Sequence, residues 1–177
     1  SIDKSGIDFS SETEPDKEFD REDVIVFRAS TPGDYTSGDF FFLLDNPLNG
    51  DDIRGISLVE NEGGVTVGDT TLAQGTFLFS HSGGSEHDRG ITYHADTVGE
   101  SNTTGTETVL IEGSDGGNLG FTEKIAGLHV VESSTTIGGV TVTAGDLLIS
   151  VHAGGEASTT IGGVTGTNQD VFRLTMT

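Results

Sequence analysis

Apolar and polar residues alternate with a period of two along most of this chain, a rhythm that predicts strands. Asp23 to Ala29 (DVIVFRA) sets Val24, Val26 and Arg28 on one face and Ile25 and Phe27 on the other. Thr31-Pro32-Gly33-Asp34 then reads as a turn, because proline presets φ and glycine tolerates the conformation that follows. Asp39 to Leu44 (DFFFLL) is apolar on both faces and is expected to lie centrally in one sheet. Strands are expected near 24–29, 40–44, 53–60, 76–80, 107–112, 125–132, 147–152 and 170–176. Helical spacing is missing nearly everywhere, with room for one turn at 119–124 (LGFTEK). The fold class is therefore all-β.

A longer repeat lies over this alternation. Residues 53–84 read IRGISLVENEGGVTVGDTTLAQGTFLFSHSGG, and residues 125–155 read IAGLHVVESSTTIGGVTVTAGDLLISVHAGG. Ile53, Gly55, Val59 and Glu60 face Ile125, Gly127, Val131 and Glu132. Past an insertion at Gly63 and Gly64, the residues Thr66, Gly68, Thr71, Gly75 and Leu78 face Thr136, Gly138, Thr141, Gly145 and Leu148. In both, a strand ending in Val-Glu leads to a hairpin, a small-residue turn (LAQG or VTAG) and a final apolar strand. Two such meanders predict a β-sandwich built from two similar halves. Residues 159–165 (TTIGGVT) repeat 135–141 letter for letter and predict another strand-turn-strand. The domain is expected to span 23–177. Residues 1–22 are charged and sparsely apolar, and read as a polar leader, a linker or a loosely docked strand.

Composition narrows the function. Acidic residues outnumber basic ones 29 to 8, a net charge of −21, which repels nucleic acid and anionic membranes. The same charge favours divalent cations, cationic ligands or a salty habitat, or serves solubility alone. Apolar runs fall far short of the ~20 residues that a membrane-spanning helix needs, so no membrane insertion is expected. The absence of cysteine excludes disulfides, thiol catalysis and cysteine-based zinc sites. Residues 1–22 carry no apolar signal-peptide run, and the chain reads as an excised piece of something longer.

Candidate chemistry is confined to loops. Asp45-Asn46-Pro47-Leu48-Asn49-Gly50-Asp51-Asp52 is the densest group of oxygen ligands in the chain. Hard cations such as Ca²⁺ take six to eight oxygens at most sites, and Asp45, Asn46, Asn49, Asp51 and Asp52 are the first candidates. An ordinary Asx-Pro turn is the competing reading. The turn holding Asp115 and Asn118 (DGGN) is the second candidate, against a plain hairpin. Residues 80–106 form the least regular stretch and hold His81, His87 and His94. A zinc site there would need convergent neutral imidazoles, and solvent-facing loop histidines are the simpler expectation. No nucleophile elbow, phosphate loop or dinucleotide fingerprint is present, so catalysis is not expected.

The phrases DVIVFRASTPGDYTSGDFFFLLDNPLNGDDIRGISLVE, TVGDTTLAQGTFLFS, IAGLHVVESSTTIGGVTVTAGDLLIS and NQDVFRLTMT resemble modules of very large bacterial repeats-in-toxin adhesins. The resemblance covers 23–177, although the glycine-aspartate nonapeptide repeats of that family are missing. It implies a secreted module on the bacterial cell surface, stabilised by Ca²⁺ and monomeric, with neighbouring adhesin domains as partners. The module would be a scaffold or would itself bind a cell-surface glycan or peptide. The alternative is a carbohydrate-processing enzyme, or its accessory binding domain, on the same sandwich. With no tryptophan and only Tyr35 and Tyr93, a flat aromatic sugar platform is not expected.

Overall fold

The computed structural model describes residues 7–8, 18–44, 48, 50–83, 90–94, 107–112, 123–152, 159–161 and 163–176. The chain is all-β, with no helix among the described residues, and hence no helix long and apolar enough to cross a membrane. It divides into two compact units, Ser1–Ile53 with Thr97–Gly105, and Arg54–Asp96 with Thr106–Thr177.

In the first unit, β1 (Ile7–Asp8) pairs antiparallel with β2 (Glu18–Phe19) inside the stretch read as a polar leader. A long hairpin follows, β3 (Val24–Thr31) against β4 (Asp34–Leu44), turning at Gly33 with φ 86°. Its register sets Phe27 opposite Phe40, whose rings lie 5.1 Å apart, and Arg28 opposite Asp39. The Arg28 guanidinium sits 4.7 Å above the Phe41 ring. The Phe27 ring lies over Gly38, where a Cβ would come within 2.6 Å of it, so only glycine fits under that ring. The DFFFLL segment was expected to be a central strand, but among the described residues β4 pairs with β3 alone. Cross-strand aromatic and cation-π contacts, rather than a second neighbouring strand, occupy its apolar side chains.

The second unit holds two larger sheets. One has the order β10 (Glu107–Ile111), β9 (Ile91–His94), β8 (Phe77–His81), β5 (Ile53–Leu58). The other has β14 (Leu147–His152) between β11 (Lys124–Val130) and β17 (Phe172–Leu174), both antiparallel to it. Strand β8 is the one buried throughout, with Phe77 stacked on Phe79 at 5.9 Å. Leu78, Ile91 and Ile111 from the first sheet join Leu128, Val130, Leu147, Ile149, Phe172 and Leu174 from the second in one apolar cluster. Small residues let the strands approach: a Cβ on Gly55 would stand 3.1 Å from the Leu128 side chain. There the Ser57 hydroxyl accepts the Val130 N–H at 3.0 Å, satisfying a donor on the edge strand β11.

Three small hairpins precede the closing strands. They are β6 (Val65–Val67) with β7 (Thr70–Leu72), β12 (Thr135–Ile137) with β13 (Val140–Val142), and β15 (Thr159–Ile161) with β16 (Val164–Gly166). Each carries one cross-strand threonine pair at the same place: Thr66–Thr71, Thr136–Thr141 and Thr160–Thr165, with hydroxyls 3.2, 3.4 and 3.0 Å apart. The turn after each hairpin closes alike, through Thr76 N–H to Ala73 C=O, Asp146 N–H to Thr143 C=O and Asp170 N–H to Thr167 C=O. In the first two, the preceding strand end joins in: Val59 and Val131 donate to Thr76 and Asp146, and accept from Gly75 and Gly145.

Candidate functional site

The loop read as a cation site lies largely outside the described residues, which include neither Asp45, Asn46 and Asn49 nor Asp115 and Asn118. Asp51 and Asp52 are described. The Asp51 N–H donates to the Leu48 carbonyl at 3.3 Å, closing a turn. The Asp52 carboxylate accepts from Arg21 at 3.3 Å, with both side chains nearly half exposed. That pair competes with a cation for one of the candidate oxygens, while an exposed pair contributes only about 0–1 kcal/mol and yields readily. Among the described residues, no three His, Asp or Glu side chains converge as a metal group.

The histidine-rich stretch behaves differently from the expectation. His81 is not a loop residue: it ends β8 and is 1% exposed. Its Nδ1 accepts the Gly83 N–H at 3.3 Å, which leaves the ring proton on Nε2 to donate to Glu107 at 2.5 Å. Two strands of one sheet are thereby tied through a part-buried carboxylate. His87 lies outside the described residues, and only the backbone of His94 is described. The polar SHSGG composition disguised a strand end.

Elsewhere in the second unit, carboxylates hold main chain. Glu132, at the end of the second meander's first strand, accepts the N–H groups of Glu60 at 2.9 Å and Asn61 at 2.5 Å. Asp146 is 2% exposed; its Oδ2 accepts the Thr143 N–H and its Oδ1 the Thr175 hydroxyl, both at 2.7 Å. Arg173 approaches the same carboxylate at 3.6 Å and donates to the Thr141 carbonyl at 2.6 Å. Asp170 repeats the turn, accepting the Thr167 N–H at 2.7 Å, but is exposed. In the first unit, Asp34 accepts from the side chain and the backbone N–H of Thr36, which hold its carboxyl below the usual range. These groups are committed to turns and strand ends.

Among the described residues, a cleft of about 590 Å³ lies between the β15–β16 hairpin and β17, within the 300–1,000 Å³ typical of ligand pockets. Ile161 and Phe172 form its floor, Val164 and Val171 its exposed rims, and Asp170 and Arg173 its polar groups. Two local causes open it. Gly166 gives the Phe172 ring a place on the hairpin, since a Cβ there would stand 2.6 Å from it. The strand after Asp170 also enters one residue out of phase with that after Asp146. Leu147 is buried, but its counterpart Val171 is 67% exposed while Phe172 turns inward. No sequence motif marks the cleft, although the repeated TTIGGVT segment hinted at a third hairpin. Of the two tyrosines, Tyr35 stands exposed on β4 and Tyr93 is partly buried on β9. Comparison with protein-family models, with characterised proteins and with solved structures gives no match to this chain.

Proposed function

We propose that this chain is a non-catalytic module of an extracellular bacterial adhesin: a β-sandwich with two similar halves, stabilised by Ca²⁺, acting as a scaffold or as a ligand-binding part. The observation that carries the reading is the recurrence of one hydrogen-bonded hairpin-and-turn unit, with its carboxylates spent on backbone donors. Stacked supersecondary units that bury one shared core suit an extended, repeat-built surface protein. The net charge of −21 fits a module that takes up divalent cations outside the cell. Asp45, Asn46, Asn49, Asp51 and Asp52 would hold the ion first, and Asp115 and Asn118 second. The ion would neutralise neighbouring carboxylates and order their loop.

The purified chain, incubated in Ca²⁺ with a panel of glycans and peptides, separates this from a carbohydrate-processing enzyme. The adhesin reading predicts no turnover of any member, with or without retention on a glycan array. Hydrolysis lost on a single acidic substitution would overturn it.

A further inference from the structure

We propose that the cleft beside β17 binds a short extended cationic peptide, which adds to the sheet as a fourth strand next to β17. Among the described residues, β17 is an edge of the β11–β14–β17 sheet. It pairs with β14 through Phe172 opposite Ile149, Arg173 opposite Leu148 and Leu174 opposite Leu147. Antiparallel pairing uses the N–H and C=O of alternate residues, so every second residue of β17 presents both groups away from β14. Among the described residues, no further backbone bond reaches Phe172, Arg173 or Leu174. Such an edge is a template for strand addition unless it is covered, twisted away or guarded by charge.

The surroundings of this edge select an occupant. The facing hairpin stands off far enough to leave the cleft, rather than closing over the strand. Val164 on one rim and Val171 on the other are 62% and 67% exposed, and so offer apolar contacts to alternate side chains of an added strand. Arg173, the basic residue of the cleft, is already turned towards Asp146 and the Thr141 carbonyl. Asp170 is exposed on the rim, its Oδ2 engaged by Thr167. Asp170 and Arg173 balance one another within the cleft, so the field a newcomer meets is set by the molecule as a whole, which carries −21. A second copy of this chain would bring another −21 to the same edge, which disfavours self-pairing, whereas a cationic strand is attracted. This inference does not depend on the adhesin reading.

The test uses the whole chain and a capped, fluorescein-labelled octapeptide alternating valine and lysine, read by anisotropy at physiological salt. Three controls accompany it: an alternating valine–glutamate octapeptide, a valine–lysine octapeptide interrupted by two prolines, and Val164→Lys and Val171→Lys variants. Both variants change exposed residues, and circular dichroism checks that they fold. Expected are saturable binding of the valine–lysine peptide, at least tenfold weaker binding by either variant, and no binding of the glutamate or proline peptides. Amide exchange within Phe172–Thr175 should slow when the peptide is bound. The proposal is overturned by three results: no saturable binding, proline-interrupted peptide binding equally well, or a dimer of the free chain that Val171→Lys dissolves. The second would mean charge attraction without strand addition, and the third an edge used between copies.

Discussion

Gly75 and Gly145 hold the same place in the two meanders, each donating its N–H to the end of the preceding strand, with φ of 87° and 92°. Their surroundings differ. A Cβ on Gly75 would meet nothing within 4 Å, whereas one on Gly145 would overlap the Thr66 carbonyl oxygen of the β6–β7 hairpin and stand 3.3 Å from its carbon. Alanine at either position carries the cost of a left-handed backbone, roughly 1–2 kcal/mol. At Gly145 a backbone carbonyl must also move, and such overpacking costs about 1–3 kcal/mol more. Gly145→Ala should therefore exceed Gly75→Ala by about 2 kcal/mol. With a urea slope of about 2 kcal/mol per M, the midpoints should separate by about 1 M. Far-ultraviolet circular dichroism suits the assay, as there is no tryptophan to follow. Coincident midpoints for the two variants would refute the close packing of the second turn on the first hairpin.

Asp146→Ala should destabilise more than Asp170→Ala, by about 1–2 kcal/mol in the same assay. It strands the Thr143 N–H and Thr175 hydroxyl beside a buried site, while the Asp170 partners can turn to water. The identical TTIGGVT segments give a matched pair: Ile161 is 3% exposed and Ile137 57%. Ile161→Ala should cost about 2–4 kcal/mol and Ile137→Ala under about 1 kcal/mol, measured by thermal or urea unfolding. Asp34 should titrate below the ordinary aspartate range in a carbon-detected NMR titration, and Thr36→Ala should return it towards that range. Because its folded pKa is depressed, its stabilising contribution is present at neutral pH and fades as pH falls through that lowered value.

Strand identity was legible because the period-two pattern survives in most elements, and hairpin register followed from small turn residues. Val65, Thr66 and Val67 pair with Leu72, Thr71 and Thr70 around Gly68, as their spacing implies. Sheet order was not legible. DFFFLL read as a strand apolar on both faces and residues 76–80 as a final apolar strand, yet the first sits in a two-stranded ribbon and the second, buried throughout, lies between β9 and β5. Neighbouring strands are chosen by tertiary packing that a single segment does not encode. The reach of β4 was also underestimated: it starts at Asp34, because the ladder runs on with Gly38 opposite Ala29 and, past an irregularity, Asp34 opposite Thr31. His81 was misplaced because glycine and serine after it outweighed the apolar run before it. The cleft depends on a one-residue phase change after Asp170 and on glycine at 166 where the second hairpin has Val142, differences visible only once the turns are superimposed.

Stabilisation of the module by a bound cation is the central proposal, and paired thermal unfolding tests it most directly. The chain is melted in EDTA, in millimolar Ca²⁺, in Mg²⁺ and in NaCl of matched ionic strength, which separates specific binding from screening of the −21 charge. An ion at ~100 times its dissociation constant adds about 2.7 kcal/mol. For a chain of this size, that raises the melting temperature by roughly 5–10 °C. Ca²⁺ should produce that rise, Mg²⁺ and NaCl less, and the Asp45→Asn, Asp51→Asn double variant should lose most of it. Coincident melting in EDTA and Ca²⁺ would contradict the account and leave the acidic surface with solubility as its role.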